Sequence, residues 1–393
     1  MEYTPLLFKD TSSFLARPHG TVASSYVSLM CSMLGAGVLA LPSTVASATV
    51  VPSVVLLILN AALTGLSFLC LALVADATDA YSYEAMGRLL CTRVELWCLR
   101  LVTLLPLFGG AVLYMVIAAD MVAPVLPLSR ASITLVFVVC LFPLCLPDTL
   151  HALRYSSAMV VACVLYVVLV LVGHAVDKPW PAPAHDVTLV GLASVLPIQT
   201  LSFCCHFNFV RAYGELRCKS SITHIAAYAL ASGLVLYTIA SIAGYVCLGG
   251  APPADILDGF PLADVSISGV KAALAMCMWC KTPLVFQPFR EVVELWYMRP
   301  KIEHLRLPYR VLLILGFLLG AGAAAVAATD LSHVMAWVGA SAGLVVSFIV
   351  PGVFLKKALD QGFLPMVQWH LHLARAMILI GTSLLALALW SFL

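Results

Sequence analysis

The sequence is poor in charge. Asp, Glu, Lys and Arg supply 10% of its 393 residues and hydrophobic residues 62%. A water-facing surface on a chain of this length needs far more charge, and a mean hydropathy of +1.04 excludes a soluble globular fold. The net charge is only +2, and basic runs interleaved with aromatics are missing, so no nucleic-acid partner is expected. No metal-ligand spacing stands out among the 13 cysteines: Cys204 and Cys205 are adjacent, and Cys277 with Cys280 forms a CxxC inside an apolar run. Cysteine in such a run serves as a small hydrophobe, and no cofactor or metal is expected. Asn-x-Ser/Thr does not occur, since Asn60 and Asn208 stand in other contexts. A secretory cleavage pattern is also lacking. No apolar segment holds a nucleophile, base and orienting residue at helical spacing, which argues against an enzyme.

What the chain has in abundance is long apolar runs. A bilayer core of about 30 Å takes about 20 residues per helix. With polar clusters and prolines as punctuation, eleven segments qualify: 22–48, 51–75, 97–123, 131–148, 155–175, 189–213, 222–248, 269–294, 308–329, 332–355 and 370–392. Placing the N-terminus in the cytoplasm puts 17 of the 21 Lys and Arg residues on inside segments, as the positive-inside rule requires. Arg130, Lys178 and Lys271 fall outside, Lys281 falls within a span, and the C-terminus is outside or lumenal. A five-helix block that repeats returns inverted, so residues 22–175 and 189–355 read as two inverted repeats, with 370–392 as an extra helix and 1–21 as a cytoplasmic tail. The expected fold class is therefore an all-α polytopic membrane protein of eleven spans.

Two spans are interrupted at matching places. Span one carries "MLGAGVLALP" over residues 33–42, and span six carries Pro197 and then the polar cluster "SFCCHFN", Ser202 to Asn208. Glycines alone could simply allow close packing, as expected for Gly316, Gly320, Ala324 and Ala328 of span nine. The paired break favours a binding site, because unwound backbone at that depth is tolerated only where it lines a cavity.

Four stretches resemble the amino acid/auxin permease family: "GAGVLALP" at Gly35 to Pro42, "YSYEAMGRLL" at Tyr81 to Leu90, "SFCCHFNFVRAYGEL" at Ser202 to Leu216, and "PLVFQPFR" at Pro283 to Arg290. The resemblance runs in order from about residue 20 to the end. It implies an eleven-span transporter with the leucine-transporter type of inverted repeat and with spans one and six broken. It also implies that the backbone of Gly35, Ala36, Gly37 and Val38 receives an amino-acid carboxylate, and that Ser202, Phe203 and Cys204 border the amino group and side chain. A half-helix that starts after a break offers free N–H groups and partial positive charge to an anion. Tyr114 resembles the family's aromatic of span three, which closes over the substrate, although an aromatic packed between helices reads the same way.

The sequence departs from the pattern at the ion site. Sodium-coupled members have Asn four residues before the first glycine and Thr two residues before the proline of span eight. Here those positions are Cys31 and Lys281, and neither offers the hard oxygen that sodium needs. Burying the Lys281 ammonium costs at least about 2.5–3.5 kcal/mol on insertion scales, which marks it as functional. It reads either as a fixed cation in place of sodium or as a proton carrier, with a lysine facing a wet cavity as the bland alternative. His206 could titrate near neutral pH or could hydrogen-bond the irregular backbone. Asp120 lies in an outer vestibule or at the interface, and Glu84 and Glu215 stand beside arginines on inside segments, where pairing could lock an inward gate.

"EYTPLL", with Glu2, Leu6 and Leu7, matches an acidic dileucine address read by sorting adaptors, which points to an endolysosomal or vacuolar membrane beside the plasma membrane. The function expected is secondary active transport of amino acids, neutral ones by the scarcity of in-span carboxylates, by alternating access with proton as the driving ion. Pro351 and Gly339 are candidate hinges. The competing readings are a sodium-independent uniporter or exchanger and a membrane amino-acid sensor. A sensor would be expected to have a longer extension than the residues before span one.

Overall fold

Helix starts are written locally in this chain. Thr21 and Thr92 open helices with capping boxes closed by Ser24 and Glu95, and Ser82, Ser129 and Thr188 cap others through their hydroxyls. The structure, a computed structural model, describes residues 20–390 apart from 36, 125–127, 148, 183–185, 254, 262–263, 298–305 and 329–342. Ala36, Gly339 and the dileucine residues Glu2, Leu6 and Leu7 therefore lie outside the described residues.

The described residues are almost all helical. In chain order the helices are α1 (Val22–Met33), α2 (Gly37–Ala48), α3 (Val50–Thr78), α4 (Tyr83–Leu90), α5 (Arg93–Val122), α6 (Arg130–Leu144), α7 (Arg154–Ala175), α8 (Leu189–Ser202), α9 (His206–Glu215), α10 (Ile222–Cys247), α11 (Val265–Tyr297), α12 (Arg306–Ala327), α13 (Val350–Asp360) and α14 (Gln368–Trp390). A π-helical turn, Val345–Ile349, leads into α13.

Eight of the expected spans, two, three, five to nine and eleven, are helices long and apolar enough to cross a membrane. Span one is the pair α1 and α2, bent by 53°. Span four differs from expectation. Its helix stops at Leu144 after 15 residues, because Pro143 breaks the ladder and Arg310 caps the end by donating to the Leu146 carbonyl. The expected start of span ten lies outside the described residues. Among the described residues, helix length alone thus supports eight crossings, or nine with the bent pair.

α5 packs along α11, which also lies on α7; α10 covers α2; and α8 lies on α2. One apolar core runs through both interrupted spans, and a second joins α5, α6, α11 and α12 around Phe286 and Phe317. Apolar side chains such as Leu101, Leu105, Leu169 and Leu312 face outward, as in a helix bundle surrounded by lipid. The small-residue stripe of span nine makes only part of the packing expected of it. Gly316 faces open space, Gly320 meets only the ring of Phe108, and Ala324 and Ala328 lie against the second core, whereas a Cβ on Gly191 would stand 2.5 Å from the Ser47 carbonyl where α8 crosses α2, and one on Gly352 2.9 Å from the Ala374 carbonyl where α13 crosses α14.

One end of the bundle is rich in arginine. There the Glu84 carboxylate, buried, accepts from Arg100 at 2.5 Å and Arg88 at 2.9 Å, and Arg211 pairs with Glu291 at 3.2 Å. Glu215 accepts from the backbone N–H groups of Leu150 and His151, at 2.9 and 3.0 Å, so its tie runs to the backbone entering α7. At the opposite end Asp120 pairs with Arg130 at 3.3 Å and His174 with Asp264 at 2.9 Å.

Candidate functional site

Both breaks leave backbone groups without helical partners. α1 ends at Met33, Leu34 turns extended, and α2 starts at Gly37, with the Val38 N–H reaching the Gly35 carbonyl at 3.0 Å. α8 ends at Ser202, the chain turns through Phe203 to Cys205, and α9 starts at His206. The last carbonyls of a helix lack intrahelical donors, and here side chains from other helices reach them. Lys281, in the middle of α11 and buried, donates its ammonium to the carbonyls of Ser32 at 3.1 Å and Leu34 at 2.6 Å. Tyr237 of α10 reaches the carbonyl of Met33 at 2.6 Å and that of Ser202 at 3.0 Å.

The glycines make this approach possible. A Cβ on Gly35 would stand 2.5 Å from the Lys281 Nζ, and one on Gly37 would collide with the Ser202 hydroxyl. The structure therefore brings together Gly35, Gly37, Ser202 and Lys281, four of the residues expected at the site. Tyr114 is the fifth, its ring centroid 5.3 Å from the ammonium. Cys31 is buried in the last turn of α1, and its thiol lies within electrostatic reach of Lys281. Val38 and Phe203 are buried beside the breaks, Phe203 edge-on to Tyr237 with centroids 5.5 Å apart.

A narrow cavity adjoins Lys281 on the arginine-rich side. Ser32, Tyr114, Cys204 and Asn208 supply its polar wall, and Leu107, Phe207, Leu284 and Pro288 its apolar one. A second cavity, lined by Tyr83, Glu84, Arg211 and Glu291, shares Phe207 and Pro288 with the first. The Phe207 ring, tilted against Tyr83 at 4.8 Å, is thus a partition between the site and the arginine-rich end.

His206 does not join this constellation. Its ring is fully buried against Phe68 at 5.0 Å, and neither ring nitrogen has a hydrogen-bond partner among the described residues, so it does not brace the break by hydrogen bonding. The helical phase of α9 decides this: His206 and Phe209 both lie on Phe68, while Phe207, Asn208 and Arg211 line the cavities.

Sequence reasoning missed two sets of polar residues that hold the half-helices. Asn208 of α9 donates to the Ser32 hydroxyl of α1 at 2.9 Å. On the other side of the breaks Gln199 of α8 donates to the Ser53 carbonyl at 3.0 Å, Thr200 donates to the Asn60 amide oxygen at 2.9 Å, and Ser53 meets Thr44 of α2 at 3.2 Å. Asn60 and Gln199 were visible as amides inside apolar runs, where an unpaired polar group is costly and a partner must exist.

Comparison with known proteins bears on the family and the fold. The family model for transmembrane amino acid transporter protein matches residues 18–393. The chain is 26% identical to vacuolar amino acid transporter 5 of Schizosaccharomyces pombe, with 93% of each chain covered. It is 23% identical to vacuolar amino acid transporter 6 of Saccharomyces cerevisiae over 86% of this chain and 90% of that one. To sodium-coupled neutral amino acid transporter 7 of Xenopus laevis it is 24% identical over 67% and 64%. The crystal structure of MhsT in complex with L-phenylalanine is similar in fold, with a TM-score of 0.56 at 12% identity, covering 94% of this chain and 98% of that one. With one model spanning nearly the whole sequence and two broken helices at the centre of a transporter fold, the chain belongs to the transmembrane amino acid transporter family, the amino acid/auxin permeases, and is an integral membrane protein and not an enzyme.

Proposed function

We propose that the chain is a secondary active transporter of amino acids with neutral side chains, working by alternating access and driven by protons and not by sodium. The observation that carries the ion assignment is the seat of the Lys281 ammonium on the Ser32 and Leu34 carbonyls. These carbonyls end a half-helix, where partial negative charge gathers, and a tethered cation there leaves a sodium ion neither its oxygens nor favourable electrostatics. Release of the proton from Lys281 would vacate one positive charge at the hinge of span one, and its return would restore it. The cavity on the arginine-rich side gives that ammonium an exit for the proton, through the Phe207 partition.

The substrate carboxylate faces the first turn of α2, and the amino group faces the carbonyls at the end of α1 and α8. Residues 22–175 and 189–355 act as the two inverted repeats, with the N-terminus and the arginine-rich end in the cytoplasm. The relatives named for vacuoles and the dileucine pattern together favour an endolysosomal or vacuolar membrane over the plasma membrane. A second reading is favoured by the same lysine: its two carbonyl partners suit a permanent cation, and the protein would then be a sodium-independent uniporter or exchanger.

Uptake into proteoliposomes with a panel of labelled amino acids, under proton and sodium gradients imposed separately, tests the reading. Accumulation driven by the proton gradient is expected. Accumulation driven by sodium alone would overturn it, and unchanged pH dependence in both Lys281→Ala and Lys281→Thr would exclude proton coupling through this residue.

A further inference from the structure

Span ten is not a plain helix where it enters α13. Val345–Ile349 form a π turn, with the Val350 N–H on the Val345 carbonyl, and Pro351 follows at once. Proline has no N–H, so neither the Ser347 carbonyl, its partner in an α-helix, nor the Val346 carbonyl, its partner in a π turn, receives a bond from it. Val346 and Ser347 are fully buried, where a carbonyl without a donor is costly. Two side chains from other helices supply the donors. Ser67 of α3 donates to the Ser347 carbonyl at 2.5 Å, and the Tyr83 hydroxyl of α4 donates to the Val346 carbonyl at 3.1 Å.

The two donors differ in what else they meet. Ser67 lines neither cavity, whereas Tyr83 lines the one at the arginine-rich end. The Tyr83 ring leans on Phe207 with centroids 4.8 Å apart and on Phe354 of α13 at 5.8 Å. Since Phe207 is shared by both cavities, a partition that opens towards the arginine-rich end must turn into the space that Tyr83 borders. Tyr83 is fixed from two directions. Its backbone opens α4 behind the Ser82 cap and beside Glu84, which Arg100 and Arg88 hold, and its hydroxyl is held by span ten. In a close-packed interior a ring fixed in this way leaves its neighbour no room to turn.

We propose that Tyr83 is a positioning residue that holds the Phe207 partition closed, with the π turn of span ten as its anchor. Passage between the site and the arginine-rich end then takes two events together: Phe207 swings aside, and the Tyr83 hydroxyl leaves the Val346 carbonyl. A change of shape in span ten that withdraws this carbonyl frees Tyr83, so the partition answers to span ten as well as to the break in span six. The inference rests on the transport reading above for the purpose of the passage, and its first test needs no transport.

The test reads the Cys204 thiol, which lines the cavity behind the partition. Sulfonatoethyl methanethiosulfonate, a reagent that does not cross a bilayer, is applied to proteoliposomes, and its rate at Cys204 is followed by peptide mass spectrometry. Tyr83→Phe keeps the ring and loses only the hydroxyl, and the rate is expected to rise about fivefold, the order of one neutral hydrogen bond. Ser67→Ala deprives the neighbouring carbonyl of span ten in the same way but touches no partition. Its rate should stay within about twofold of wild type while its denaturation midpoint falls as in Tyr83→Phe. On the Phe207→Ala background Tyr83→Phe should add less than about twofold, because the ring it holds is gone. An unchanged rate in Tyr83→Phe, an equal rise in Ser67→Ala, or a rise that survives without the Phe207 ring overturns the proposal. A wild type in which Cys204 reacts as fast as in Phe207→Ala overturns it without any Tyr83 variant, which covers the case of a Phe variant that does not fold. The expected rates without amino-acid uptake would sink the transport reading alone, and uptake with unchanged rates would sink this inference alone.

Discussion

Replacing Gly35 by alanine should be harmful only while Lys281 is present. The backbone at Gly35 is not left-handed, so alanine is sterically allowed there by its own dihedrals. The added methyl, however, would stand 2.5 Å from the Lys281 Nζ, 3.1 Å from its Cδ and 3.2 Å from its Cε. The whole stem has to withdraw, and the ammonium loses its bonds to Ser32 and Leu34. Hydrogen bonds to a charged group contribute about 1.5–3 kcal/mol each, so Gly35→Ala is expected to cost about 2–4 kcal/mol after partial relaxation. Lys281→Ala leaves the two carbonyls without their donor but also removes a buried charge worth about 2.5–3.5 kcal/mol on insertion scales, so its net cost is small. In the double variant the methyl has nothing to strike. The double-mutant cycle should therefore show a coupling of at least about 1 kcal/mol, with Gly35→Ala nearly silent on the Lys281→Ala background. Denaturation midpoints of the four proteins, read by fluorescence-detected size exclusion after heating in detergent, supply the cycle. Additive midpoint shifts would refute the steric and electrostatic account of the site.

Other outcomes follow from the same geometry. Phe207→Ala removes the partition between the two cavities, and the Cys204 thiol should react with a small thiol reagent added from the arginine-rich side at least about tenfold faster than in the wild type, an order set by the loss of a ring from a close-packed wall. Glu84→Gln leaves Arg100 buried without its carboxylate and should lower stability by about 3–5 kcal/mol, seen as a lower midpoint and recovered in part by the additional change Arg100→Met. Asp255, in the loop between α10 and α11, is pushed up by burial to about 6, with Asp258 and Asp120 raising it further and Lys271 opposing. Its folded form is the easier to protonate, so stability is full below about pH 4 and falls as pH rises through 6, by about 3 kcal/mol at neutral pH. Asp255→Asn keeps an acceptor for the Leu257 N–H and should raise the midpoint at pH 7.5 while leaving it unchanged near pH 4; equal shifts at both values would refute the assignment.

The breaks were legible because glycine, proline and a polar cluster are rare inside long apolar runs, and Lys281 was legible because a charge there needs a partner. What the partner is could not be read, since the Ser32 and Leu34 carbonyls belong to the backbone and leave no trace in residue identity. Tyr237 escaped for the same reason: an aromatic in an apolar run looks like packing until the carbonyls of two other helices are seen at its hydroxyl. The sequence neighbours of His206 place it at the site, but two residues along a helix is about 200° around it, and that rotation puts His206 on Phe68 and Asn208 at the cavity. The end of span four could not be read because the helix runs one residue past Pro143 and its close depends on Arg310 from another helix, and the periodicity of span nine shows which residues share a face and not what that face meets.

The polar ties on either side of the breaks divide the centre of the molecule mechanically. Asn208 and Ser32 fasten α9 to α1, and the chain of Thr44, Ser53, Gln199, Thr200 and Asn60 fastens α2, α3 and α8 into one piece. The two pieces meet at the breaks, next to Leu34 and Gly35 in span one and at Phe203 to Cys205 in span six. Each half of span one is thus tied to the matching half of span six, α1 to α9 and α2 to α8, so the two halves of a span belong to different pieces. Where the two pieces meet, the exposed carbonyls are the backbone atoms that Lys281 and Tyr237 hold, so the seam between them is closed by one ammonium and one phenol.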